Sequence, residues 1–215
     1  MKAFGRKIQP LTINDKPTGE LGELLGLFAA DGCFYVDRRR YHYTMTISLS
    51  SYQNEYAEVV SEIITRVFGR KARIDVHDDS ISVVLRGKGI LPFLKKYLWW
   101  RGRRTYTIRF TDLALGMNKN FLRGIIRGLV AGDGSIYVPR RRVLFGVVSK
   151  RLAEQYTNLL REFGVAARSS SVSYKDKKTL HNVNVNTESE VKKFGQRIGL
   201  TDPVKRRLLD QALRR

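Results

Sequence analysis

Apolar residues along the chain switch repeatedly between a helical period and a period of two. Residues 1–17, with Pro10, Asn14, Asp15 and Pro17, carry neither rhythm and read as an extended N-terminal arm. Thr18 can cap a helix that follows, with Glu20 and Glu23 favouring its positive end. Phe34 and Val36 then alternate with Tyr35, Asp37 and Arg39, and Met45, Ile47 and Leu49 with Thr44, Thr46, Ser48 and Ser50, which predicts a hairpin across Arg39–His42. Tyr52 to Phe68 has a helical stripe of Val59, Val60, Ile63, Ile64 and Val67 and ends at Gly69. A second hairpin sets Ile74 and Val76 against Arg73, Asp75 and His77, then Ile81, Val83 and Leu85 against Ser82, Val84 and Arg86. Ile90 to Leu98 is a short helix with Pro92 in its first turn.

The series then recurs. Asn118 or Asn120 can cap a second leading helix, Val143–Val148 pairs back on a strand through Tyr137, and Lys150–Phe163 is a helix closed by Gly164. The strand from Ala167 to Tyr174 is ambiguous, because its serines fall on both faces, whereas Val183 and Val185 alternate cleanly with Asn182, Asn184 and Asn186. Glu188–Ile198 is the last helix of the repeat, and a basic helical tail starts at Pro203. The expected organisation is an α+β chain of two αββαββα halves: an arm over 1–17, halves over 18–100 and 118–215, and an arginine-rich linker over 101–117.

Sequence identity ties the halves together. Leu24-Leu25-Gly26-Leu27-Phe28-Ala29-Ala30-Asp31-Gly32 returns as Ile126-Arg127-Gly128-Leu129-Val130-Ala131-Gly132-Asp133-Gly134, at a constant offset of 133 − 31 = 102 residues. Small residues recur every fourth position, as Gly22, Gly26 and Ala30 and as Gly124, Gly128 and Gly132. Each glycine costs a helix about 1 kcal/mol against alanine, so two glycine stripes imply two helices whose backbones pack on each other. This repeated stretch resembles the signature of the LAGLIDADG homing endonucleases in their single-chain, two-motif form, and the resemblance covers nearly the whole chain. It implies pseudo-twofold symmetry, paired motif helices at the interface and saddle-shaped antiparallel sheets facing DNA.

Charge agrees with such a partner. Forty Lys and Arg against twenty Asp and Glu leave a net charge of +20, spread through strands and loops with no polybasic tail. No apolar run approaches the ~20 residues of a membrane span, and no signal-peptide core follows Met1, so an intracellular, free-standing protein without membrane contact is expected. The lone Cys33 excludes an intrachain disulfide, and His42, His77 and His181 do not make a zinc pattern.

A hairpin ribbon fits the major groove of double-stranded DNA, and strands of about 8 residues at ~3.3 Å each let two sheets end to end span about 50 Å. The polar parity names the candidate readers: Tyr35, Asp37, Arg39, Tyr41, Thr44, Thr46, Ser48, Arg73, Asp75, His77, Ser82 and Arg86 in the first half, and Tyr137, Arg141, Asn182, Asn184 and Asn186 in the second. Pro139 stands where the first half has Asp37, so the two half-sites should differ.

If the stripes pack, Asp31 and Asp133 meet at the negative ends of two helices. Two carboxylates about 6 Å apart at an effective dielectric near 20 repel by ~3 kcal/mol, and hard divalent cations with oxygen ligands offset this. The resemblance implies that Asp31 and Asp133, with the carbonyls of Ala30 and Gly132, bind Mg²⁺, and that each aspartate serves the cut of one strand. Mn²⁺ should substitute, and Ca²⁺ should bind without supporting cleavage. The resemblance also implies polar or basic groups that order water: Lys205 after the last helix, Arg103 as its first-half counterpart, and Ser51, Ser149 and Lys150 after the second strand of each half. The expected protein is a monomeric, site-specific double-strand DNA endonuclease. A maturase of this fold that binds intron RNA and a regulator that binds DNA without cutting are its rivals.

Overall fold

A computed structural model describes residues 10–37, 39, 40, 42–173 and 178–214. The first half runs α1 (Gly19–Asp31), β1 (Gly32–Asp37), β2 (His42–Ser50), α2 (Asn54–Phe68), β3 (Arg73–Val76), β4 (Ser80–Arg86) and α3 (Ile90–Tyr97). A connecting region follows, with β5 (Leu98–Trp99), α4 (Arg104–Thr107), β6 (Arg109–Phe110) and α5 (Asp112–Leu115). The second half has α6 (Lys119–Ala131), β7 (Gly134–Tyr137), β8 (Arg142–Val147), α7 (Lys150–Glu162), β9 (Arg168–Ser173), β10 (Thr179–Val185), α8 (Glu188–Arg197) and α9 (Pro203–Arg214).

Each half folds as expected, with an antiparallel four-stranded sheet in the order β1-β2-β4-β3 or β7-β8-β10-β9. Thr18 accepts from the Leu21 N–H at the start of α1, and Asn118 does the same for Phe121 at the start of α6. Gly69 and Gly164 end α2 and the α7 region at φ 65° and 66°, in the left-handed region that glycine enters without a Cβ penalty. The connecting region is more structured than the reading of a linker suggests. Ile108, Phe110 and Ala114 are buried, and Gln155 of α7 pairs with both backbone groups of Phe110. From the arm, the Asn14 N–H donates to Val67 and Asp15 pairs with Lys96. Among the described residues no helix is long and apolar enough to cross a membrane.

The core is continuous through both halves because α1 and α6 lie side by side, N-terminus to N-terminus, at backbone contact. A Cβ on Gly22 would lie 2.0 Å from the Phe121 carbonyl oxygen, and one on Gly26 2.3 Å from that of Ile125. From the other side, a Cβ on Gly124 would lie 1.9 Å from the Gly19 oxygen, and one on Gly128 2.0 Å from that of Glu23. All four positions predicted to form the helix interface do so, and each contact is against backbone that cannot rotate away.

Beside this seam the Glu23 carboxylate is buried, accepting from the Tyr56 hydroxyl at 2.6 Å and from Thr201. Burial raises its pKa, and the two hydroxyls and Arg127 oppose the rise. Tyr56 belongs to the first half and Thr201 to the second, so this polar cluster ties the halves where the glycines let them meet.

Replacing Gly128 by Ala should therefore lower the unfolding free energy by about 1–3 kcal/mol, the usual cost of overpacking, despite the better helix propensity of alanine. Urea unfolding checks this, and an unchanged midpoint would mean that the helices separate freely.

Candidate active site and nucleic-acid interface

Asp31 is the last residue of α1, and Asp133 lies two residues past the end of α6. Parallel packing brings these ends together: a Cβ on Gly132 would meet the Ala30 side chain at 2.5 Å and Asp31 Oδ2 at 3.0 Å. The carboxylate of one motif thus lies against the backbone of the other.

Helix C-termini leave carbonyls without partners, and both ends are closed here by a cation from a later segment. Arg104 donates from Nη1 to the Phe28 and Ala29 oxygens at 2.8 and 3.0 Å and from Nη2 to that of Ala30 at 3.3 Å. Lys205 Nζ donates to the oxygens of Val130, Ala131, Gly132 and Gly134 at 2.8, 2.6, 3.1 and 2.7 Å. Burial lowers the pKa of both cations, and the two aspartates help to counter it, joined by Cys33 at Arg104 and by Asp202 at Lys205.

The aspartates feel the opposite balance. Desolvation at the helix end raises Asp31, with Lys205 and Arg104 pulling it down. Asp133 is pushed up to about 6, first by desolvation and then by the Asp31 charge, against the same two cations. The free donors are the two carboxylates, without thiolate or imidazole, which suits a hard cation such as Mg²⁺ or Ca²⁺. Among the described residues no group of three or more His, Cys, Asp or Glu side chains is arranged to hold a metal ion. The Ala30 and Gly132 carbonyls, expected as metal ligands, are instead paired with Arg104 and Lys205, because helix-end carbonyls lack intrahelical partners.

Four expected positions are corrected. Arg103 precedes α4, and its neighbour Arg104 is the residue that reaches the helix end, since one step along a helical turn changes the side-chain direction by about 100°. Ser51 sits in the turn after β2, where its carbonyl accepts from Asn54. Ser149 is fully buried, capping α7 through Leu152 N–H and donating to the Ile108 oxygen. Lys150 is exposed at the first turn of α7.

The residue that does reach the helix ends from the second strand is Gln53. It is 3% exposed, accepts from Ser50 N–H, and donates to the Ala131 oxygen at 3.3 Å and to Asp202 Oδ2 at 2.6 Å. Asp202, also buried, accepts through Oδ1 from the N–H groups of Val204 and Lys205. Gln53 of the first half thereby fixes the start of the helix that carries Lys205. The sequence signal was the polar side chain directly before an apolar-faced helix.

Strand register collects most of the expected readers on one face per sheet. Tyr35, Thr44 and Arg86 align across β1, β2 and β4, while Ser48, Ser82 and Asp75 align across β2, β4 and β3. Thr46 aligns with Val84 and Arg73, and Arg73 pairs with Asp75 at 2.8 Å. Tyr35 is 59% exposed, so its ring is presented to solvent. Arg39 and His77 lie in turns beyond the strands, and Tyr41 lies outside the described residues. Asp37 is a turn former, because its Oδ1 accepts from the N–H groups of Arg39 and Arg40. Val36, expected inside, is exposed at the hairpin end.

In the second half Tyr137 pairs with Arg142, and Asn182 and Asn184 align with Gly146 and Leu144. Asn186 follows β10, half-buried. Arg141 is not on the strand. Pro139 sits in a short 3₁₀ turn, Val138–Arg140, after which Arg141 takes φ 44° and pairs with Glu188. Arg142 takes the face instead, and its Nε is buried without a partner, as is Oδ1 of Asn184. The inward parity of Val143, Phe145 and Val147 already assigned Arg142 outward.

The chain matches the LAGLIDADG-like domain family over residues 18–96 and 120–199, once for each half. Among solved structures it is similar to the homing endonuclease I-DmoI in complex with DNA and Ca, with a TM-score of 0.68 and 17% identity over 91% of this chain and 99% of that one. The I-DmoI complex with DNA and Mn gives 0.63 and 17% over 86% and 98%. Full-length DUF199/WhiA from Thermotoga maritima gives 0.57 and 13% over 94% of this chain and 62% of that one. With both halves matched and both motif helices seated on their glycine stripes, the chain belongs to the LAGLIDADG family.

Proposed function

We propose that the protein is a monomeric, divalent-cation-dependent endonuclease that cuts both strands of a long, asymmetric DNA site. The observation that carries this reading is the pair of aspartates at the junction of the motif helices, both in the field of the half-buried Arg104 and the buried Lys205. A protein that used only its sheets to hold DNA has no need of two mutually repelling carboxylates. The similarity to I-DmoI bound to DNA with Ca, Mn or Mg supports the DNA partner and the choice of metal. Resemblance in fold to WhiA leaves the cutting activity to be argued from the site.

Asp31 and Asp133 would hold the cations. A bound cation supplies Lewis acidity at a phosphate oxygen and an ionisable water. Arg104 and Lys205 keep the helix-end carbonyls paired, fix the approach of the two aspartates, and add positive charge where a phosphodiester gains negative charge. Tyr35, Thr44, Arg86 and their neighbours face one half-site, and Tyr137, Arg142, Asn182 and Asn184 face the other. The unpartnered atoms of Arg142 and Asn184 are suited to base edges, arginine to guanine and asparagine to adenine.

Replacing Asp31 or Asp133 by Asn should abolish double-strand cleavage of plasmid carrying the site in Mg²⁺. DNA binding should stay within about tenfold, because phosphate contacts carry most of the affinity. Undiminished cleavage by either variant would remove these residues from the chemistry.

The support of the two cations is unequal, since Gln53 and Asp202 brace only Lys205. Gln53→Met should therefore slow one strand by roughly tenfold to a hundredfold, the cost of a small misplacement, and let nicked circular DNA accumulate. Equal slowing of both strands would show that Gln53 serves general stability alone.

A further inference from the structure

At the end of α6 opposite Asp133, the surface carries a basic cavity of about 670 Å³ that no part of the cleavage site uses. Its wall is built from the face of α6 that carries Lys119, Arg123 and Arg127 and from the C-terminal ends of α7 and α8. Lys119, Arg123, Arg127, Arg161 and Arg197 line it, with Glu162 as the one acid. None of these five cations is in an ion pair of 4.0 Å or less among the described residues. Along the helix, Lys119 and Asp133 are separated by about 20 Å at 1.5 Å per residue. Both sheets leave from the Asp133 end, since β7 begins directly after it. A duplex lying across the sheets accordingly leaves this cavity open.

Three of the guanidinium groups are already fixed in place. Arg123 Nε donates to the Arg197 carbonyl, Arg127 donates through Nε and Nη2 to that of Ile198, and Arg197 Nη1 donates to those of Phe163 and Gly164. These bonds satisfy the carbonyl ends of α7 and α8, which explains why arginines stand there. They do not explain why five cations converge on one volume. Arginine has five N–H donors, so each of the three retains unused ones while its plane is held, which lowers the entropy lost on gripping an anion.

We propose that this cavity binds closely spaced phosphate groups, as in a nucleic-acid backbone away from the cleavage groove or in a free polyphosphate. Five cations and one carboxylate leave four positive charges, close to the charge of a triphosphate, and the planar guanidinium forks match phosphate oxygens. Phe163, the aromatic side chain in the wall, is 8% exposed and lies under Arg123, so no ring is presented for stacking on a base. Recognition is therefore of phosphate, without base preference.

The test uses the full chain in metal-free buffer, with tripolyphosphate and a homopolymeric single-stranded RNA as separate probes in calorimetry. Lys119→Ala/Arg161→Ala removes two cations and leaves the three arginines on their helix ends; Lys16→Ala/Lys71→Ala removes equal charge from the exposed surface of the first half. Tripolyphosphate should bind wild type with or without saturating target DNA, and bind the cavity variant at least about tenfold more weakly than the control variant. Plasmid cleavage in Mg²⁺ should be the same for both variants. RNA that binds and is displaced by tripolyphosphate identifies a strand as the source; tripolyphosphate binding without RNA binding identifies a free polyphosphate. Loss of tripolyphosphate binding on adding target DNA, equal affinities of the two variants, or no binding to wild type would each overturn the proposal.

Discussion

The backbone contact between α1 and α6 is the constraint on which the structure depends. Four glycines remove the side chains that would hold the helices at the usual separation of about 8–10 Å. The consequences run along the helices in both directions. At one end the two halves share a core and a buried Glu23–Tyr56–Thr201 cluster. At the other end the Asp31 carboxylate is brought against the backbone of the second motif at Gly132, close to Asp133.

Repulsion between the two carboxylates defines the electrostatic character of the site. Helix carbonyls and carboxylates concentrate negative charge at one point, and Arg104 and Lys205 offset part of it from within the protein. What they leave is visible in the raised pKa of Asp133 and in a donor set of oxygens alone. Arg104 comes from α4 in the connecting region and Lys205 from α9, the last helix of the second half, so each motif helix is closed by a segment well after it in the chain.

Much of this was legible in the sequence because repetition and periodicity report burial directly. The glycine stripes located the interface, the alternation of Met45, Ile47 and Leu49 located a sheet face, and Thr18 and Asn118 located helix starts. Arg104 was missed in favour of Arg103 because a one-turn helix has no periodicity from which to choose a direction. Arg141 was misplaced because the chain turns at Val138–Arg140 before reaching it, so the outward parity of Tyr137 no longer applies and that of Val143, with Arg142 outward, does. The pairing of Gln53 with Asp202 was beyond reach for a different reason: they are 149 residues apart, and only the folded chain brings them together.

The paired helices hold Asp31 and Asp133 close enough for the Asp31 charge to oppose ionisation of Asp133. The most direct measurement is the carboxyl titration of the aspartates by NMR in metal-free protein, for wild type and for Asp31→Asn. Asp133 should titrate near 6 in wild type, above the ordinary aspartate value of 3.8, and should move down when the Asp31 charge is removed. If Asp133 titrates near 3.8, or stays at the same value in Asp31→Asn, the paired helices do not bring the two carboxylates together.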